Sequence, residues 1–210
     1  MPTDNSMNTH ALNSPIPREP HLSRFRDLIR RGAGTLDKHD EQDAASPFIK
    51  PAAAYDALVE REVDRVRVHL NSLCRLLEAH VGPTEEILDV GCGTGATTVA
   101  MALSPGLGAR RVIGLDPNGF SLEAARARWD AYEAPAGQAT FLQIAPEQPL
   151  PFADGTFPLT VCVSVIEYLG EHEHRQRLVD ELLRVTRVGG HVCLITPNPL
   201  RLRDYHTHRW

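Results

Sequence analysis

Two carboxylates placed around a glycine-rich turn are the groups of this chain best suited to chemistry. Asp89 stands two residues ahead of Gly91-Cys92-Gly93-Thr94-Gly95, and Asp116 follows about 20 residues later. The residues before the turn, Glu86-Ile87-Leu88-Asp89-Val90, read as a buried strand, and those after it, from Ala96, as a helix. Such a turn lets bare backbone approach a ligand at the carboxyl edge of a parallel sheet, beside a helix N-terminus. Asp116 ends a second strand-like run, Val112-Ile113-Gly114-Leu115-Asp116, where a carboxylate can accept both vicinal hydroxyls of a ribose. The ligand implied is a nucleoside derivative.

Glycine spacing alone leaves its identity open. Gly91, Gly93 and Ala96 fit the dinucleotide form GxGxxA, whereas Gly91, Gly93 and Gly95 fit GxGxG. Asp89 is the more discriminating residue. A carboxylate close to the turn repels a pyrophosphate and suits an ammonium group, which favours an adenosine carrying an amino-acid moiety over a nicotinamide dinucleotide.

The elements that must position these groups follow a strand–helix rhythm. Strands are predicted over Glu86–Val90, Arg111–Leu115, Thr140–Ile144, Leu159–Val165 and His191–Thr196, and helices over Ala96–Leu103, Ser121–Tyr132 and Glu173–Thr186. Short apolar strands alternating with helices imply a doubly wound, mostly parallel α/β sheet covered on both faces. Ahead of it, Leu58, Val59, Val63, Val66, Leu70, Leu73, Leu77 and Val81 recur at helical spacing until Gly82-Pro83. Residues 1–51 lack such periodicity and read as a flexible arm with a short helix around His21–Arg31, stopped by Gly32-Ala33-Gly34. The expected organisation is therefore an arm (1–51), a helix or lid (52–84), a core (85–200) and a polar tail (201–210).

The order of the motifs adds a resemblance. Glu86 to Gly95 resembles the first motif of the class I S-adenosylmethionine-dependent methyltransferases, of the methyltransferase type 11 kind. The likeness continues through Gly114-Leu115-Asp116-Pro117, Leu150-Pro151-Phe152-Ala153-Asp154-Gly155-Thr156-Phe157, Ser164-Val165-Ile166-Glu167-Tyr168-Leu169, Glu181 to Gly190, and Thr196-Pro197-Asn198. It implies a Rossmann-like sheet of order 3-2-1-4-5, S-adenosyl-L-methionine as cofactor, and methyl transfer to a small-molecule acceptor by in-line displacement. Carried over by position, Gly91, Gly93 and Gly95 would line the methionine end, with Cys92 and Thr94 supplying backbone groups. Asp89 would orient the methionine amino group and Asp116 would hold the ribose. Pro117 and Asn118 would flank the adenine, Ile144 and Ala145 would pack on it, and Ser164 would lie near the sulfonium. Two departures stand out: Ile144 replaces the usual acid that receives the adenine amino group, with Glu147 a substitute from the loop, and Pro158 replaces the usual Asp after Phe157.

In-line displacement draws mainly on proximity and orientation, and a base is needed only where the acceptor must lose a proton. Glu167, Tyr168 and His172 are the candidate catalytic residues, with His174, His206 and His208 near the expected mouth. Tyr55 is a candidate cap from the lid helix. His172-Glu173-His174 lacks the spacing of a helical zinc motif, so no metal is expected.

Composition narrows the class of protein. The 210 residues are 42% hydrophobic and 23% charged, as in globular domains, and the net charge of −5 offers nothing to a nucleic acid. No apolar run is long enough for a membrane span, and the N-terminus has no secretory core. The four cysteines are scattered, as expected of reduced thiols in a cytoplasmic protein. The strands with which the family fold closes find no sequence after Asn198. The fifth strand is thus expected to be an apolar edge, covered by the termini, a second copy or a partner chain, unless the polypeptide is a truncated form. A nicotinamide-dependent oxidoreductase and an inactive cofactor-binding subunit remain alternatives.

Overall fold

A computed structural model describes residues 17, 19–40, 52–132, 135, 137–146 and 148–197. The side chain of Tyr55, Glu147, Asn198, His206 and His208 lie outside them. Five strands form one sheet of order β3-β2-β1-β4-β5: β1 Glu86–Val90, β2 Arg111–Asp116, β3 Ala139–Gln143, β4 Phe157–Val163 and β5 Thr186–Ile195. All four pairings are parallel, so the carboxyl ends of the strands share one edge. The glycine turn follows β1, the central strand.

Both faces are apolar because successive residues of a strand point to opposite sides. Ile87, Val112, Leu159 and Val161 pack with helices α4 (Ala96–Leu103) and α5 (Gly119–Asp130) and with Leu73, Cys74 and Leu77 of the preceding helical segment. Leu88, Val90, Ile113, Leu115 and Cys162 face the other way, onto Leu150, Leu182 and Val185. Leu182 and Val185 belong to α6 (His172–Val185). The crossover from β3 to β4 carries no helix among its described residues, and Arg184 of α6 ties it down instead. Its guanidinium donates to the carbonyls of Phe152 (2.8 Å) and Leu150 (3.0 Å), and Glu181 accepts the Leu150 amide at 2.6 Å.

The apolar stripe ahead of the sheet is one continuous helical rod. It runs through α2 (Ala52–His69), a π-helical segment at Leu70–Cys74 and α3 (Arg75–His80), and Gly82 with φ of 74° ends it. The helix expected around His21–Arg31 is longer, α1 at Glu19–Asp40, and it passes through Gly32-Ala33-Gly34 without breaking. A Cβ at Gly32 would sit 2.6 Å from a ring carbon of Phe120, so the glycine there permits close packing on α5 rather than ending a helix. Leu22, Phe25, Leu28 and Ile29 are buried against Val59 and the α5 alanines 124 and 127. This part of the segment read as a flexible arm is thus packed on the body.

Strand β5 departs from the expected boundaries in an informative way. Thr186 pairs with Phe157, but His191 pairs with Leu159, so four residues loop out around Gly189 while Pro158 sits at the irregularity on β4. A proline that cannot donate to the ladder is tolerated at such a bulge. Beyond it β5 is half exposed, with Val192 and Leu194 open to solvent, and it pairs on one side only among the described residues. No helix among these residues is long and apolar enough to cross a membrane.

Candidate active site

The turn after β1 is held by backbone and carboxylate together. The amides of Gly91 and Cys92 both donate to the carbonyl of Leu115 (2.8 and 2.9 Å), which draws the turn onto the end of β2. Gly91 and Gly95 have φ of 75° and 79°, which L side chains resist. Asp116, nearly buried, accepts the Gly93 amide through Oδ2 and the Asn118 amide through Oδ1, each at 2.8 Å. Asn118 in turn caps α5, its side chain accepting from Phe120 and Ser121.

Asp89 lies deeper. It is 1% exposed, and Oδ2 accepts the Thr98 hydroxyl of α4 at 2.6 Å. Burial pushes its carboxyl up to about 7, with the charge of Asp116 adding to the rise and the Thr98 hydrogen bond opposing it. Burial disfavours the thiolate form of all four cysteines. Burial pushes Cys74 and Cys162 up to about 12 and Cys92 higher still.

A pocket of about 380 Å³ opens beside the turn, its wall predominantly apolar. Val90, Gly91 and Pro117 form one side, Ile144, Ala145 and Leu150 another, and Val165 and Leu169 a third. Of the site residues singled out in the sequence, Gly91, Pro117, Ile144, Ala145 and His174 line it; Asp89, Cys92, Gly93, Thr94, Gly95, Asp116, Asn118, Ser164, Glu167, Tyr168 and His172 do not. The α6 wall, with Arg177, Leu178, Asp180 and Glu181, was not foreseen, although the amphipathic spacing of Leu178, Leu182 and Val185 could have indicated it.

The candidate catalytic residues separate by burial. Tyr168 is 70% exposed and His172 is exposed at the start of α6. Glu167 lies in a 3₁₀ turn (Ile166–Tyr168) just beyond β4, and both its carboxylate oxygens are buried without a hydrogen-bond partner among the described residues. Its neighbours Val165 and Leu169 line the pocket. Ser164, directly after β4, adopts φ of 55°, the left-handed region, although it is not glycine.

This arrangement has counterparts among known proteins. The profile of the family described as a methyltransferase domain matches residues 87–190, which span the turn, the pocket and the β4–α6 segment. The chain belongs to the class I S-adenosylmethionine-dependent methyltransferases. Within that family it is 30% identical over 156 residues to the O-methyltransferase rstn1 of Aspergillus nomiae, covering 70% of this chain and 65% of the relative. It is 31% identical to the O-methyltransferase resE of Aspergillus sclerotiorum, covering 58% and 46% respectively. A candidate methyltransferase from Bacillus halodurans of known structure matches 67% of this chain and 61% of its own, with 26% identity and a TM-score of 0.53. The chain thus spans between about half and two thirds of the length of these relatives.

The family's cofactor is S-adenosylmethionine, and the residues present fit it. The glycine turn is bare where a ligand must come close: a Cβ at Gly93 would meet nothing within 4 Å. The pocket beside Gly91, with Pro117 and Ala145 in its wall, has the apolar lining and size for a purine. When bound, S-adenosylmethionine supplies an electrophilic methyl group on a sulfonium.

Proposed function

We propose that this chain methylates a hydroxyl of a small-molecule acceptor, with Glu167 receiving the proton that the hydroxyl loses. The observation that carries this reading is the Glu167 carboxylate, buried with neither oxygen hydrogen-bonded among the described residues, in the turn between the pocket-lining Val165 and Leu169. An unpaired buried carboxylate costs free energy unless a donor reaches it, and an acceptor hydroxyl is such a donor. The two fungal relatives named as O-methyltransferases support an oxygen acceptor. S-adenosylmethionine held at the glycine turn would supply the methyl group by in-line displacement at its sulfonium, and Glu167 would take up the proton that the acceptor hydroxyl loses. His172 and Tyr168, nearer solvent, serve the mouth of the site.

In the same reading Asp116 extends its remaining acceptor capacity to the ribose. Pro117, Asn118, Ile144 and Ala145 hold the adenine, Gly91 to Gly95 face the methionine end, and Ser164 stands near the sulfonium. Asp89, with Thr98 beside it, serves the amino group through the turn rather than by direct contact, given its depth.

The test is methyl transfer from labelled S-adenosylmethionine to a panel of phenols and other small hydroxyl compounds. A Glu167→Gln variant should retain S-adenosylhomocysteine affinity within about threefold and lose at least a hundredfold in kcat, within the usual range for a general base. Equal turnover by Glu167→Gln and the unmodified chain would remove Glu167 from the chemistry.

A further inference from the structure

Arg128 connects the two N-terminal helices to the glycine turn, through a buried hub that the catalytic reading does not use. It lies in the last turn of α5, among alanines, and is 1% exposed. Its Nε donates to the Thr94 carbonyl at 2.8 Å and its Nη1 to the Glu62 carbonyl of α2 at 2.6 Å. Its Nη2 reaches the Glu62 carboxylate at 3.3 Å and the Thr94 hydroxyl at 3.1 Å. The Thr94 hydroxyl itself donates to the same Glu62 carboxylate at 3.2 Å. The ring of Phe25, from α1, lies against the guanidinium with its centroid 4.2 Å from the central carbon.

Four segments thus meet at one buried cation. Such a charge is tolerated only where its donors are satisfied together, and removing one partner leaves the rest uncompensated. Burial lowers Arg128 to about 10, so it stays charged at neutral pH. The planar fork matters as much as the charge. Donors diverge in one plane to a carbonyl on the turn and a carbonyl on α2, a geometry that a lysine ammonium cannot reproduce.

Thr94 sits between Gly93 and Gly95, both with positive φ, so no local preference fixes its peptide planes. Asp116 fixes one flank of the turn through the Gly93 amide, and Arg128 fixes the other through the Thr94 carbonyl and hydroxyl. We propose that Arg128 is a positioning residue that couples the seating of α1 and α2 to the cofactor affinity of the turn. The coupling is reciprocal: a cofactor that prefers the ordered turn strengthens the hold on α1 and α2, and loosening those helices weakens the cofactor. The inference rests on the turn being the S-adenosylmethionine site.

The experiment is titration calorimetry with S-adenosylhomocysteine, joined to amide hydrogen exchange of α1 and α2 with and without that compound. The unmodified chain should bind, and binding should slow exchange in both helices. Arg128→Lys should raise Kd about tenfold at a temperature well below its melting midpoint and abolish the ligand-induced slowing. Phe25→Leu, a milder change that leaves the guanidinium in place, should raise Kd two- to fourfold with a smaller loss of slowing, and it decides the matter should Arg128→Lys not fold. A purely structural role predicts a lower melting midpoint with unchanged Kd and unchanged ligand-induced protection, and that result would overturn the proposal. Absence of binding by the unmodified chain would instead sink the assignment of the turn, and the coupling with it.

Discussion

Asp116 grips the Gly93 amide across 23 residues of sequence, 2.8 Å from Oδ2 to nitrogen. The carboxylate that the sequence suggests for a ribose therefore also shapes the glycine turn beside it. Replacing Asp116 with Ala removes the proposed ribose acceptor and the anchor of Gly93 together. Kd for S-adenosylhomocysteine should rise more than tenfold, about 1.4 kcal/mol or more. Asp116→Asn keeps one acceptor oxygen and should lie between the two. Calorimetry on the three proteins checks the order, and equal affinities would place the ribose elsewhere.

Gly91 stands under Val165, the residue that walls the pocket from the β4 side. A Cβ built on Gly91 would come 2.2 Å from Val165 Cγ2, at a φ of 75°. Gly91→Ala should therefore cost about 2–4 kcal/mol, the sum of overpacking and left-handed strain. Adding Val165→Ala should recover the steric share and leave about 1 kcal/mol from the backbone. Urea unfolding of the single and double variants measures both. A double variant as unstable as the single one would show that the strain is all in the backbone.

Much of this was legible because it depends on short-range rules. The apolar strands, the glycine spacing and the helix stop at Gly82-Pro83 placed the elements and set the turn at the end of β1, while the order β3-β2-β1-β4-β5 came from the family resemblance. Arg128 was not legible. It lies in a helix where alanines 124, 125 and 127 are as buried as it is, so no polar face marks it, and its partners Glu62 and Thr94 are 66 and 34 residues away. Gly32 misled for the opposite reason. A glycine looks like a helix stop unless its neighbour in space, here Phe120, is known. The depth of Asp89 was hidden in the same way, since only the fold brings Thr98 over it.

Asp89 makes stability fall as pH rises. Its folded carboxyl titrates at about 7 against an ordinary value of 3.8, so between these values the folded state binds the extra proton. The stabilisation is complete below the unfolded value and lost as pH climbs through 7, on the order of a few kcal/mol in all. Asp89→Asn keeps the shape without the ionisation. Its melting midpoint relative to the unmodified chain should increase from pH 4 to pH 8. A constant difference across that range would show that the buried carboxyl does not titrate there.

His69 works against Asp89 over part of the same range. At the end of α2, burial first, then the charges of Arg65 and Arg128, pull its imidazole down from 6.5 to about 4, with Glu62 opposing them. Between those values the unfolded state binds the extra proton. The contribution of His69 is therefore complete above pH 6.5 and lost as pH falls towards 4, about 3 kcal/mol at most. The two groups offset each other from pH 4 to 6.5, so the profile of the unmodified chain is flatter there than that of either variant. His69→Gln removes the opposing slope, and its melting midpoint should gain on the unmodified chain as the solution is acidified from 6.5 to 4. Asp89→Asn should lose ground over the same interval. Parallel profiles for His69→Gln and the unmodified chain would show that the imidazole is not held neutral, and that protonation does not disturb the Glu62–Arg128 contact beside it.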